Sequence, residues 1–288
     1  MMGDSMQIMV VMIAYMLVVI GIGVTFACRA NQSSEDYFLG GRTLGPWVTA
    51  MSAEASDMSG WLLMGLPGVA YWCGISDAAW TAIGLAAGTY INWLITSKRL
   101  RRYSEKANAI TLPEFFSNRF HEQGKVIMTI AALFILIFFT VYAASCLVTC
   151  GKLFSTLFGL GYVPMMIVGA VFVLVYTIIG GFLAESASDF MQAIVALLVI
   201  VLTGTAAAGG LDAVLDNARS IPGFLDFFGI ATPVTVDGMQ QAVNGVPQFG
   251  EAGSYGFLSI VSTLAWGLGY FGMPQVLLRF MAIRHERE

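Results

Sequence analysis

Seven apolar runs of spanning length leave this chain few choices of fold. They lie at roughly 6–27, 47–71, 75–96, 126–150, 162–182, 190–209 and 254–282, and a helix needs about 20 mostly apolar residues to cross a bilayer. In lipid, every backbone N–H and C=O must find its partner within the chain, so such runs fold as helices. Charged residues make up only 11% of the sequence, against about 25% in a soluble domain. The expected fold class is all-α, a polytopic membrane protein.

Basic residues set the orientation. With the N-terminus outside, the inner segments 28–46, 97–125, 183–189 and 279–288 hold 12 of the 14 Lys and Arg residues. The stretch "SKRLRRYSEK" carries most of that bias, so the C-terminal end of the chain is expected inside. Residues 105–121 read as a short amphipathic element at the inner surface. The basic cluster serves topology first, with specific lipid binding as the other reading. The long polar connection 210–253 is expected outside, with one short surface helix.

Several function classes fall away. A net charge of −4 gives no basis for a nucleic-acid partner. Cys28, Cys73, Cys146 and Cys150 form no C-x-x-C pair and read as small packing residues. The first apolar run is long enough to span and has no basic n-region, which argues against a cleavable signal. His121 and His285 lie in inner loops without metal-ligand partners. No nucleophile–base constellation, phosphate-cradling loop or dinucleotide fingerprint is present, so no enzyme is expected. The spacing of Gly84 and Gly88 reads as helix packing.

Two runs are interrupted. "SAEASDMSGWLLMGLPG" (52–68) places Glu54 and Asp57 inside an apolar segment, where a charge is costly and marks function. Its Ser and Asp residues compete for backbone groups and loosen a helix. An unwound turn there frees carbonyl oxygens, the hard ligands that small cations need. The expectation is an ion or substrate site; a packing seam is the alternative. The second run, "STLAWGLGYFGMPQVLLRF" (262–280), is broken by Gly267, Gly269, Gly272 and Pro274. Trp266 and Tyr270, four apart, are expected to face the same way and to suit a solute with an apolar body. Two broken helices separated by unbroken ones suggest a transporter, with ligand bound between discontinuous helices of two repeats. Tyr142 faces either a cavity or the core. Glu185 and Asp189 fall in an expected inner connection, as a solvated face or an inner gate. Arg42, in "DYFLGGRTLGPW", reads as an inside anchor.

These residues resemble the sodium:solute symporter family, and most closely its proline-transporting members. The motifs are "DYFLGGRTLGP", "SAEASDMSGWLLMGLPG", "INWLITSKRLR", "TLPEFF", "IIGGFLAESASD" and "WGLGYFGMPQVLLRFMA", in the family's order from about residue 36 to 283. The resemblance implies a LeuT-type fold of inverted five-helix repeats. Residues 6–27 would be an extra first helix, 47–209 the first repeat and 254–288 the start of the second. It also implies sodium-coupled uptake of L-proline across the plasma membrane, with the sodium ion as the coupling ion. Ala55 and Met58 would offer backbone carbonyls to sodium, and Asp57 the carboxylate needed for coupling. Ser59, Gly60, Trp61, Tyr142, Trp266, Tyr270 and Pro274 would line the proline site. Arg42 and Asp189 would serve an inner-side ion path.

Two features depart from the family pattern. Glu54 stands where a small residue, usually Gly, is expected. The family's second repeat continues for several helices, one of which supplies Ser/Thr hydroxyls to the sodium site. The chain is therefore expected to be part of a longer symporter, cut after about seven helices, and not to transport alone. Other readings keep the class with another solute, such as pantothenate or another carboxylate, or make the chain the membrane module of a symporter-like sensor kinase. A kinase domain would mark the latter, and none lies in this sequence.

Overall fold

The computed structural model describes residues 2–196, 198, 201–243 and 246–287. Helices dominate. In chain order they are α1 (Met2–Ala30), α2 (Ser34–Leu39), α3 (Pro46–Asp57), α4 (Leu66–Cys73), α5 (Ile75–Asn92), α6 (Lys98–Lys106) and α7 (Leu112–Arg119). There follow α8 (Val126–Phe158), α9 (Tyr162–Val195), α10 (Val201–Ala207), α11 (Leu211–Arg219), α12 (Phe257–Leu264) and α13 (Pro274–Ala282). π-helical turns occupy Trp61–Gly65 and Trp93–Ser97, and a 3-10 segment occupies Ala265–Gly272.

Among the described residues, three helices, Met6–Ala30, Val126–Phe158 and Tyr162–Val195, are long and apolar enough to cross a membrane, with a fourth crossing if 257–272 and 274–282 count as one broken span. None of the most apolar window of α8 is buried inside the protein, as expected of a helix whose neighbour is lipid. Its 33 residues make a rod of about 50 Å, longer than the expected 126–150. The run 47–71 is cut at Met58, and 75–96 is diluted by Ser76, Asp77, Thr81 and Asn92. The run 190–209 includes residues 197, 199 and 200, which lie outside the described residues.

The chain divides into two compact units. The first comprises Met1–Gly60, Ile95–Ala193 and Pro274–Glu288. Its buried side chains include Leu39 of α2, Leu100 of α6, Phe182 and Leu183 of α9, and Val276, Phe280 and Met281 of α13. Residues 183–189, expected as an inner connection, are helical instead. The break in α9 is one residue, Gly181, at φ 57 and ψ −158. A Cβ there would press on the Tyr37 carbonyl at 3.0 Å, so a glycine is required on both counts. The amphipathic element expected over 105–121 is the end of α6 and the whole of α7. Thr111 caps α7 by accepting the Glu114 N–H, while the Glu114 carboxylate accepts from the Ile110 N–H at 2.9 Å, a near relative of the capping box.

The second unit comprises Trp61–Leu94 and Ile194–Met273. Here Gly84 and Gly88 of α5 meet the backbone of Leu264 and Gly267, and a Cβ on either glycine would collide with that backbone. The small-residue spacing is therefore a packing device. The connection 210–253 holds α11, as expected, and also strands that the sequence reading did not foresee. β1 (Gly229–Ile230) pairs antiparallel with β6 (Gly253–Ser254). β2 (Thr235–Val236) pairs with β3 (Met239–Gln240), and β4 (Ala242–Val243) with β5 (Val246–Pro247).

Candidate functional site

The interruption expected in 52–68 is narrow. α3 ends at Asp57, and Met58 takes φ −65 and ψ 81. The Met58 N–H turns back to the Ala55 carbonyl at 3.1 Å, and the Ser59 N–H donates to the Asp57 carbonyl at 2.7 Å. Met58 is thus the centre of an inverse γ-turn. Local competition explains the break: the Ser56 hydroxyl bonds the Ala53 carbonyl at 3.1 Å, as short polar side chains do when they loosen a helix. The Ala55 carbonyl keeps a second lone pair beyond the one Met58 uses. Asp57 and Ser59 are half-buried, whereas Glu54 is exposed. Although three apart, the two carboxylates thus meet different surroundings.

One face of α8 lies against this turn. The Tyr142 hydroxyl is in hydrogen-bonding reach of Ser59 and Cys146, and Asp57 is close enough to act on it electrostatically. One turn further on, Thr149 fills the space where Gly60 would carry a Cβ. Residues 142, 146 and 149 share a helical face. The first unit therefore brings together Ala55, Asp57, Met58, Ser59, Gly60 and Tyr142.

The aromatic residues of the second unit are arranged otherwise than expected. Trp61 stacks on Trp266, with centroids 5.4 Å apart and planes 15° apart. Trp266 is 49% exposed and Tyr270 only 5%, so the two do not face the same way. The reason is the backbone: Ala265–Gly272 is a 3-10 helix, with three residues per turn, and residues three apart eclipse rather than residues four apart. The Tyr270 carbonyl is held by the Asn92 amide at 2.9 Å. Met273 is extended, at φ −77 and ψ 109, and the helix restarts at Pro274, as the glycines and proline predict.

Arg42 is an anchor. It follows Gly40 and Gly41, and all three residues have left-handed backbone. Its guanidinium donates to Glu35 Oε1 at 2.6 Å, Ser104 Oγ at 3.0 Å, the Met281 carbonyl at 2.9 Å and the Ala109 carbonyl at 2.8 Å. One planar fork thus ties α2, α6, the turn before α7 and α13.

Asp189 has a partner that sequence reasoning missed. Its Oδ2 accepts from Arg279 Nη2 at 3.0 Å and from the Ser52 hydroxyl at 2.9 Å. Ser52 in turn accepts from Arg279 Nε at 2.9 Å. Arg279 also reaches Glu185 Oε1 at 3.2 Å and the Gln275 carbonyl at 3.0 Å, and lies 5.2 Å from the Phe182 ring centroid. The network links α3, α9 and α13. A signal was available, because an arginine within the apolar run "VLLRFMA" demands a buried acid.

The family model of the sodium:solute symporter family matches residues 37–288. The chain belongs to the sodium:solute symporter family. Within this family it is similar to the sodium/proline symporters of Salmonella typhimurium LT2 and Escherichia coli K12, each 41% identical over 282 residues, covering 98% of this chain and 52% of the relative. The sodium/proline symporter of Staphylococcus aureus USA300 is 40% identical over 286 residues, covering 98% of this chain and 51% of its own. The chain thus spans about half the length of the curated relatives it matches. In this symporter-family chain, backbone regularity fails beside Asp57 and again just before Pro274, after the aromatic stretch 266–271. Pro274, Arg42 and Asp189 belong to the first unit; Trp61, Trp266 and Tyr270 belong to the second.

Proposed function

We propose that this chain contributes to sodium-coupled symport of L-proline across the plasma membrane. The observation that carries the reading is the helix break at Met58, beside Asp57 and under Tyr142, in a chain of this family. In the proposal, the Ala55 and Met58 carbonyls bind the sodium ion, and Asp57 supplies the charge that couples it to transport. Carbonyl and carboxylate oxygens suit a small hard cation. Ser59, Gly60, Tyr142 and Pro274 contribute to proline recognition from the first unit. Trp61, Trp266 and Tyr270 contribute from the second, where aromatic faces suit the apolar ring of a compact zwitterion. The fold proposed is the LeuT type: an extra helix over 6–27, a first five-helix repeat over 47–209 and a second repeat opening at 254. The N-terminus lies outside and residues 279–288 inside. Arg42 holds the inner side together, and Asp189 stands on an inner ion path.

The test is uptake of labelled proline into cells lacking their own proline carriers, using the product of the complete reading frame in its source. Uptake is expected to require an inward sodium gradient, to resist competition by pantothenate, and to lose its sodium stimulation in Asp57→Asn. Sodium-stimulated uptake at the parent level in that variant would show the Asp57 assignment to be wrong. Competition by pantothenate as strong as by proline would overturn the substrate.

A further inference from the structure

The inner basic cluster forms a cavity. Lys98, Arg99, Arg102 and Tyr103 of α6, together with Arg119 at the end of α7, line a space of about 480 Å³. All five side chains are exposed. The neighbouring Arg101 takes no part, because it is buried and donates to the Ile283 and Arg284 carbonyls at 2.6 and 3.3 Å. Arg102 is matched: Glu286 takes its guanidinium in two bonds of 2.7 and 2.9 Å. That fork holds the Glu286 carboxyl down at about 2, so Glu286 is charged at neutral pH and offsets one cation. Lys98, Arg99 and Arg119 have no carboxylate within salt-bridge distance among the described residues. Arg119 instead lies over the Tyr103 ring, 4.5 Å from its centroid. More positive charge faces the cavity than the protein neutralises.

Exposed apolar groups stand close along the chain to the residues that line it. Phe116 and Phe120, flanking Arg119, are 39% and 65% exposed, and Ile95, just before α6, is 47% exposed. α6 directly follows the apolar run 75–96, on the side where the basic residues gather. A free anion would use the charges but would leave the phenylalanines in water. A lipid uses both, with its phosphate among the basic residues and its chains against the aromatic rings.

We propose that the cavity formed by Lys98, Arg99, Arg102 and Arg119, with the exposed Phe116 and Phe120 close to Arg119 in the chain, binds the headgroup of an anionic phospholipid. Arginine forks grip the phosphate oxygens, and Tyr103 holds Arg119 in position. The lipid ties α6 to α7 at the membrane surface.

The test is native mass spectrometry of the whole chain in a mild neutral detergent, doped with phosphatidylglycerol or with phosphatidylcholine of the same acyl chains. The chain is expected to retain phosphatidylglycerol at least about tenfold better than phosphatidylcholine. Each basic residue near an anionic surface is worth about fivefold, so K98Q/R99Q/R119Q should weaken retention on the order of 100-fold. K106Q/K125Q removes inner charge outside the cavity and should leave retention unchanged. Circular dichroism checks the triple variant; should it fail to fold, the single Arg99→Gln decides, with a loss of about fivefold. Equal retention of the two lipids, or an equal fall in the K106Q/K125Q control, overturns the proposal. Displacement of the lipid by millimolar inorganic phosphate would make this a site for the free anion and would overturn it as well.

Discussion

Arg279 is 2% exposed, and its charge is met by Asp189, Glu185 and Ser52. An ion pair of this kind contributes less by existing than it costs when broken, because the group left behind keeps its desolvation penalty. Arg279→Met, which strands Asp189, is expected to destabilise the protein by about 3–5 kcal/mol. Asp189→Leu should cost less, because Glu185 and Ser52 still meet the arginine. The double variant, with both charges gone, should recover most of the loss. Thermal unfolding of the detergent-solubilised chain measures all three. Additive losses in the double variant would mean that the residues do not act as a pair. Ser52→Ala removes one hydrogen bond to each ion and should cost about 1.5–3 kcal/mol. In the sequence motif Ser52 is one of the residues expected to loosen a helix; in the structure its hydroxyl joins two charges.

At the level of elements, glycine decides which helices can touch. In Gly88→Ala the methyl would fall on the Gly267 backbone, and backbone cannot step aside as a side chain can. The substitution is expected to separate α5 from the 265–272 segment and to cost more than about 3 kcal/mol, as overpacking of a tight site does at its upper end. Gly68→Ala, in α4, meets nothing within 4 Å and should stabilise by up to about 1 kcal/mol through helix propensity alone, so the pair of variants separates contact from propensity in a thermal-shift measurement. The same logic divides what was legible from what was not. The breaks at Met58 and Met273 were readable, because Ser, Asp, Gly and Pro act locally on the chain. The facing of Trp266 and Tyr270 was not, because a change from α to 3-10 winding alters the face a residue occupies without altering composition. The β2–β3 hairpin was within reach: Asp237 and Gly238 both have positive φ, and Asp-Gly is the signature of that turn. Apart from Glu35 and Gln275, the partners of Arg42 and Arg279 lie tens to hundreds of residues away in sequence, and no local pattern names them.

For the molecule as a whole, the distribution of charge makes the strongest claim. α8 buries none of its apolar window, so membrane insertion is what covers it, and the Lys and Arg count is the basis of the proposed orientation. The proposed orientation places residue 123, between α7 and α8, inside and residue 235, in β2, outside. Gln123 and Thr235 are both exposed, and the native cysteines are free thiols that Ala can replace. In that background, Thr235→Cys should react with a membrane-impermeant maleimide on intact cells, and Gln123→Cys only after permeabilisation. Neutralising Lys98, Arg99 and Arg102 removes part of the inner charge next to the run 75–96, so a share of the chains should then label at position 123 from outside. Labelling of Gln123→Cys on intact cells in the parent background would invert the topology. The basic cavity would then face the outer leaflet, and Asp189 with Arg279 would guard the opposite mouth of the proposed path.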